Sequence, residues 1–241
     1  MTDGAETYDP ILEGRGASDY ERYLRTDELL ALQKEPAEMA HRDELLFQVV
    51  HQSSELWLKL AGFELEEATA ATTEGRITDA VRCLRRANLA VAYVTDQLEM
   101  LDLMSPWEYH QVRLALGHGS GFDSPGWNHM REVMASLGRA FETAVADRGL
   151  DLVDLYRRGR VHDDLYQLAE QLSELDGRVA VWRYRHLVTV HRAIGGGAVG
   201  TQGTPVEQLE RLIHHRAFPR LWQVRDELTR LADEGGVDDA G

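Results

Sequence analysis

Phe47 and His51 stand four residues apart in Phe47-Gln48-Val49-Val50-His51-Gln52-Ser53-Ser54-Glu55-Leu56-Trp57, a segment otherwise patterned as helix core. Residues at i and i+4 share a helix face, so an aromatic ring and an imidazole point into one space. Tyr109 and Arg113 repeat the spacing. Arginine grips a carboxylate through two parallel N–H bonds. The two pairs outline a pocket for an aromatic, carboxylate-bearing molecule. A lone histidine in Trp182-Arg183-Tyr184-Arg185-His186 suggests what lies beside it.

Ten histidines invite a metal site. A carboxylate-bridged bundle centre draws Glu from four helices and a Glu-x-x-His from each of two. The chain has one such motif, Glu38 to His41 beside Pro36, and the adjacent His214 and His215 diverge on a helix. An attached c-type haem requires two cysteines, and Cys83 is alone. A non-covalent haem needs only one axial histidine. His186 suits that role, with Trp182 one turn back able to present its indole N–H on the same side. From the helix alone, His186 suits a satisfied core histidine at least as well. Phe47 and His51 alone would also be ordinary packing. Their company shifts the balance: Arg113, and two glycine loops offering backbone N–H groups and hydroxyls.

Around these residues the pattern is helical, and no stretch alternates as a strand does. Ser18 caps a first helix bearing Tyr20, Tyr23 and Leu24, with Leu29 and Leu30 following. Pro36 precedes a long helix over about 42–73, and another runs from about 78 to 104. Ser105-Pro106 starts a helix that holds Tyr109 and Arg113 and ends at Gly117. A glycine-dense loop over 117–126 leads to a helix at about 128–146. A further helix spans about 163–194, ending in Gly195-Gly196-Gly197. A second glycine loop, 200–205, precedes helices over 206–214 and 218–231. The expected fold is an all-α bundle of long helices with both glycine loops at the active-site end. The expected organisation is a mobile segment 1–16, one domain over 17–232 and a disordered tail 233–241.

At 241 residues and 43% hydrophobic content the chain can bury a sizeable core. Its net charge of −15 disfavours a nucleic-acid or anionic-membrane partner. No window approaches 18 apolar residues, and the acidic N-terminus lacks the apolar run of a signal peptide. A single cysteine fits a reducing compartment, so a cytoplasmic protein is expected.

The motifs taken in order resemble those of the tryptophan 2,3-dioxygenase superfamily of histidine-ligated haem proteins. The blocks are Tyr20-x-x-Tyr23-Leu24, Leu46 to Gln52 with Glu55-Leu56-Trp57, Ser105-Pro106 through Tyr109-x-x-x-Arg113, and Gly119-Ser120-Gly121-Phe122-Asp123-Ser124. Trp182-Arg183-Tyr184-x-His186 with Arg192 and Gly195 follows, then Gly200-Thr201 and Phe218-Pro219-x-Leu221-Trp222. The resemblance covers most of residues 18–230. It implies a haem b whose iron takes His186 as axial ligand beside Trp182, and O2 and an aromatic amino acid as substrates. It places His51 distally against the substrate ring N–H, Phe47 against the aromatic ring, and Arg113 and Thr201 on the polar end. Tyr109, Leu116, Ser120 and Gly121 complete the substrate site. Tyr20, Tyr23 and Leu24 are implied to enter a neighbouring subunit's site, hence a homo-oligomer, a tetramer or dimer. The implied reaction inserts both O2 atoms across the indole C2–C3 bond of L-tryptophan or a close derivative, giving an N-formylkynurenine-type product. Monooxygenation or hydroxylation of a modified tryptophan or tyrosine is the alternative, and a haem sensor or carrier is another. Two departures stand out. The chain is several dozen residues short between the Ser-Gly-Phe loop and His186, and the family's Gly-Thr-Gly-Gly-Ser loop reads Gly200-Thr201-Gln202-Gly203-Thr204-Pro205.

Overall fold

The computed structural model describes residues 9–234. The expected N-terminal and C-terminal tails lie in part outside them. Residues 9–16 are tied down where described: the Ile11 and Leu12 N–H groups donate to Asp19, and Arg22 donates to the Leu12 and Gly16 carbonyls. Helix α1 (Asp19–Leu24) opens on Ser18, which forms a reciprocal capping box with Glu21. Arg25, in a left-handed conformation, turns the chain into α2 (Thr26–Leu30). A 3-10 turn, Pro36–Glu38, leads to α3 (Glu44–Thr73).

Helix α4 (Ile77–Asp96) follows, then the single turn α5 (Leu98–Leu101) and α6 (Pro106–Ala115), opened by a Ser105–Glu108 capping box. A 3-10 turn at Gly121–Asp123 precedes α7 (Pro125–Asp147). The remaining helices are α8 (Leu152–Arg157), α9 (Asp163–Ile194), α10 (Glu207–Ile213) and α11 (Pro219–Asp233). The fold is all-α. The only β feature among the described residues is an isolated bridge between Val199 and Pro205.

The body is built from α3, α4, α7 and α9. Helix α3 packs against both α4 and α7, and α4 packs in turn against α9. Fully buried Leu58, Leu65, Leu84, Met130, Leu137, Leu168, Leu172 and Leu175 interlock at the centre. Each such side chain contributes on the order of 2 kcal/mol on leaving water. Helices α3 and α7 cross closely because Gly126 has no Cβ; one built there would meet Leu58 Cβ at 2.6 Å. The buried Asp176 on α9 fixes the C-terminal helix by accepting from the Ala217 N–H (2.9 Å), the Phe218 N–H (3.1 Å) and Trp222 Nε1–H (3.0 Å).

Two segments depart from the sequence reading. The helix expected to run to 104 breaks at Gln97, because that side chain bonds across to α3 through Ser53 and Ser54. Helix α8, not foreseen, is capped by Asp151 and buries Leu152 and Leu155.

Candidate active site

Helix α3 delivers Phe47 and His51 stacked, ring centroids 3.9 Å apart, with the Tyr109 ring of α6 6.3 Å from Phe47. His51 Nδ1 lies 2.7 Å from the Phe47 carbonyl. A carbonyl only accepts, so Nδ1 carries the proton and Nε2 keeps its lone pair in the neutral ring. His51 keeps contact with solvent, yet desolvation by the protein around it holds it below the ordinary histidine range. The Phe47 carbonyl and the Glu55 charge oppose that shift without overcoming it.

His186 lies on α9. Burial first, then the nearby His51, pushes it down to about 4, and no hydrogen bond or carboxylate contributes. His51 is near enough for its charge to oppose protonation of His186, and both rings are neutral at pH 7. Trp182 stacks beside His186 (5.1 Å, 10° between planes) and packs on Trp127 at 4.1 Å. Its Nε1–H is buried without a partner among the described residues. A neutral imidazole with an uncommitted lone pair, backed by aromatic surface and an unpaired N–H, fits a haem axial ligand.

The polar rim comes from α6 and the two glycine loops. Arg113 Nη2 donates to the Val199 carbonyl at 2.6 Å, and the Thr201 hydroxyl donates to the Gly119 carbonyl. Ser120 caps the 3-10 turn, accepting from the Phe122 N–H, while Gly121 is open and half-buried Leu116 ends α6. Tyr20, Tyr23 and Leu24 are not brought to this site within the chain; they face solvent on α1. Grooves of 510 Å³ beside Asn88 and Arg178, and 220 Å³ beside Phe141 and Phe218, contain neither His51 nor His186. Chemistry, rather than cavity size, marks the site.

Two supporting residues had no role in the sequence reading. Glu55, one turn past His51, accepts from Ser124 Oγ (2.5 Å) and the Gly126 N–H (2.9 Å), so the His51 helix anchors the start of α7. Its i+4 spacing from His51 was the available signal. Asp102 accepts from Thr189 Oγ1 (2.8 Å) and pairs with Arg185 and Arg192 at 3.7 and 3.8 Å, holding the His186 stretch of α9 against the approach to α6. Nothing local in the sequence connects Asp102 to residues 83–90 positions away.

The fold and site define an all-helical protein that presents a stacked Phe47–His51 pair beside Tyr109 of α6, an arginine on the same helix α6, and a neutral His186 backed by Trp182 on α9. The tryptophan 2,3-dioxygenase family model matches residues 10–142 and again 128–228. Tryptophan 2,3-dioxygenase of Caulobacter vibrioides is 33% identical over 261 aligned positions, covering 87% of this chain and 98% of the relative. The enzymes of the same name from Erythrobacter litoralis (33%; 86% and 97% covered) and Polaromonas naphthalenivorans (29%; 95% and 100%) are similar too. The chain belongs to the tryptophan 2,3-dioxygenase family, and it is an oxygenase of that kind. The two matched segments overlap on α7, and the 261 aligned positions exceed the 241 residues of this chain. The relative therefore carries several dozen residues with no counterpart here, and the overlap lies at α7.

Proposed function

We propose that the chain is a haem b enzyme that adds both atoms of O2 across the indole C2–C3 bond of L-tryptophan or a close derivative. The observation that carries this reading is the aromatic backing of each histidine: Phe47 stacks on His51, and Trp182 stacks on His186 with its Nε1–H unpaired among the described residues. His186 holds the iron, with Trp182 offering its N–H beside it. When bound, the haem supplies the centre that activates O2.

The remaining work belongs to the chain. Phe47 packs on the indole, and His51 Nε2, its lone pair free, accepts the indole N–H and orients the ring. Tyr109 closes the same wall. Arg113 takes the substrate carboxylate and Thr201 its carboxylate or ammonium, while Leu116, Ser120 and Gly121 border the polar end. Holding both reactants in line is worth roughly 7–11 kcal/mol in ideal cases. A haem carrier needs no carboxylate clamp, so Arg113 favours turnover.

Tyr20 and Tyr23, 69% and 77% exposed, support an oligomer in which α1 enters a neighbour's site. No helix among the described residues is long and apolar enough to cross a membrane.

The test is product mass spectrometry of the reduced holoenzyme with tryptophan under ¹⁸O2. Two labelled oxygens in an N-formylkynurenine-type product are expected; one labelled oxygen in an oxindole or hydroxylated product would assign a monooxygenase instead.

A further inference from the structure

Three hydrogen bonds join the two glycine loops and the helix that precedes them. Arg113 donates to the Val199 carbonyl, Thr201 to the Gly119 carbonyl, and Gln202 Nε2 to Asp123 Oδ2 at 2.7 Å. The first two occupy the donors assigned above to the ligand's polar end. A threonine hydroxyl has a single proton and an arginine has five. Thr201 must therefore give up the Gly119 carbonyl to serve a carboxylate, and Arg113 must at least reorient. The entry of ligand weakens two of the three ties.

The third tie uses neither donor. Asp123 Oδ2 also accepts from the Ser120 N–H at 3.1 Å, and the next residue, Ser124, is held by Glu55 on the His51 helix. One end of the tie thus stands on the core. The other end is Gln202, next to Thr201 in a compact loop closed by Gly200 N–H to the Thr204 carbonyl and by the Val199–Pro205 bridge. Gly203, at φ 75°, makes that turn possible. Holding Gln202 holds Thr201.

We propose that Gln202 and Asp123 form a positioning latch. It keeps the 199–205 loop on the site while Arg113 and Thr201 change partners, and so sets the affinity for the amino acid. The proposal rests on the reading of Arg113 and Thr201 as carboxylate donors.

Charge exchange across the latch tests it on the haem-loaded enzyme. Q202E sets two carboxylates face to face. It is expected to raise KM for tryptophan roughly three- to tenfold, the scale of one ordinary hydrogen bond, since both partners are exposed, with kcat changed less than twofold. Q202E combined with D123N restores a donor–acceptor pair and brings KM back within about twofold of the parent. Amide exchange over residues 196–204 in saturating tryptophan gives a readout independent of turnover: slow in the parent, fast in Q202E, slow again in the double variant. Unchanged KM and exchange in Q202E, or a double variant no better than the single, overturns the latch. R113A separates the two levels. A raised KM in R113A beside a silent Q202E series removes the latch alone, whereas unchanged binding in R113A removes the carboxylate reading beneath it.

Discussion

His51 shows how much one side chain's tautomer decides. Its Nδ1–H is committed to the Phe47 carbonyl, so only Nε2 can meet a substrate, and only as an acceptor in the neutral ring. Burial lowers its pKa. Protonation, which removes that acceptor, therefore sets in below the ordinary value of about 6.5. The pH profile of kcat/KM should be flat through neutrality and fall only in acid. The Glu55 charge raises the His51 pKa, so E55Q should move the acidic limb to lower pH; a shift to higher pH would remove His51 from the limb. R113K keeps a charge but loses the planar fork. It should raise KM tenfold or more, about 1.5–3 kcal/mol, with kcat largely retained. The stacking of Phe47 with His51 was legible from i,i+4 spacing alone, and so was the placing of Tyr109 and Arg113 on one helix, α6. That Arg113 and Thr201 already carry carbonyl partners was not, because those contacts span more than 80 residues.

Among the elements, α9 was read from sequence with its observed bounds, since an unbroken apolar period ends in three glycines. The break at Gln97 was missed for the opposite reason: the local pattern favours continuation, and a tertiary bond to Ser53 and Ser54 overrides it. Asp176 is the matching case on α9, a buried carboxylate whose purpose appears only once α11 has folded back onto it. D176A would leave three N–H groups without an acceptor. It should cost roughly 3 kcal/mol or more, read as a lowered denaturant midpoint. G126A presses a methyl onto buried Leu58 at the α3–α7 crossing and should cost about 1–3 kcal/mol. A neutral effect at Gly126 would mean that the two helices can separate there.

At the scale of the molecule, α1 and the bundle read as parts of different sites. Helix α1 packs on α2, and its Tyr20 and Tyr23 face outward. If they complete a neighbour's pocket, H186A and a Y20A/Y23A variant should each be nearly inactive, yet co-refolded they should recover up to about a quarter of the sites by random pairing. No recovery from mixed, assembled protein would return α1 to its own subunit. The bundle has an uneven distribution of strength along its longest member. Buried positions on α9 run from Leu165 to Val179 and resume only at Leu187 and Thr189; Trp182, leaning on Trp127, is the chief filling in between. The helix, about 48 Å long, is held by apolar core over its first half and by polar ties to Asp102, Leu212 and His215 over its second, where His186 lies. Its amides should exchange with solvent on a gradient, slowest near Leu168 and fastest around Tyr184. Haem bound at His186, as proposed, should flatten that gradient by adding an apolar contact to the half of α9 that the core holds least.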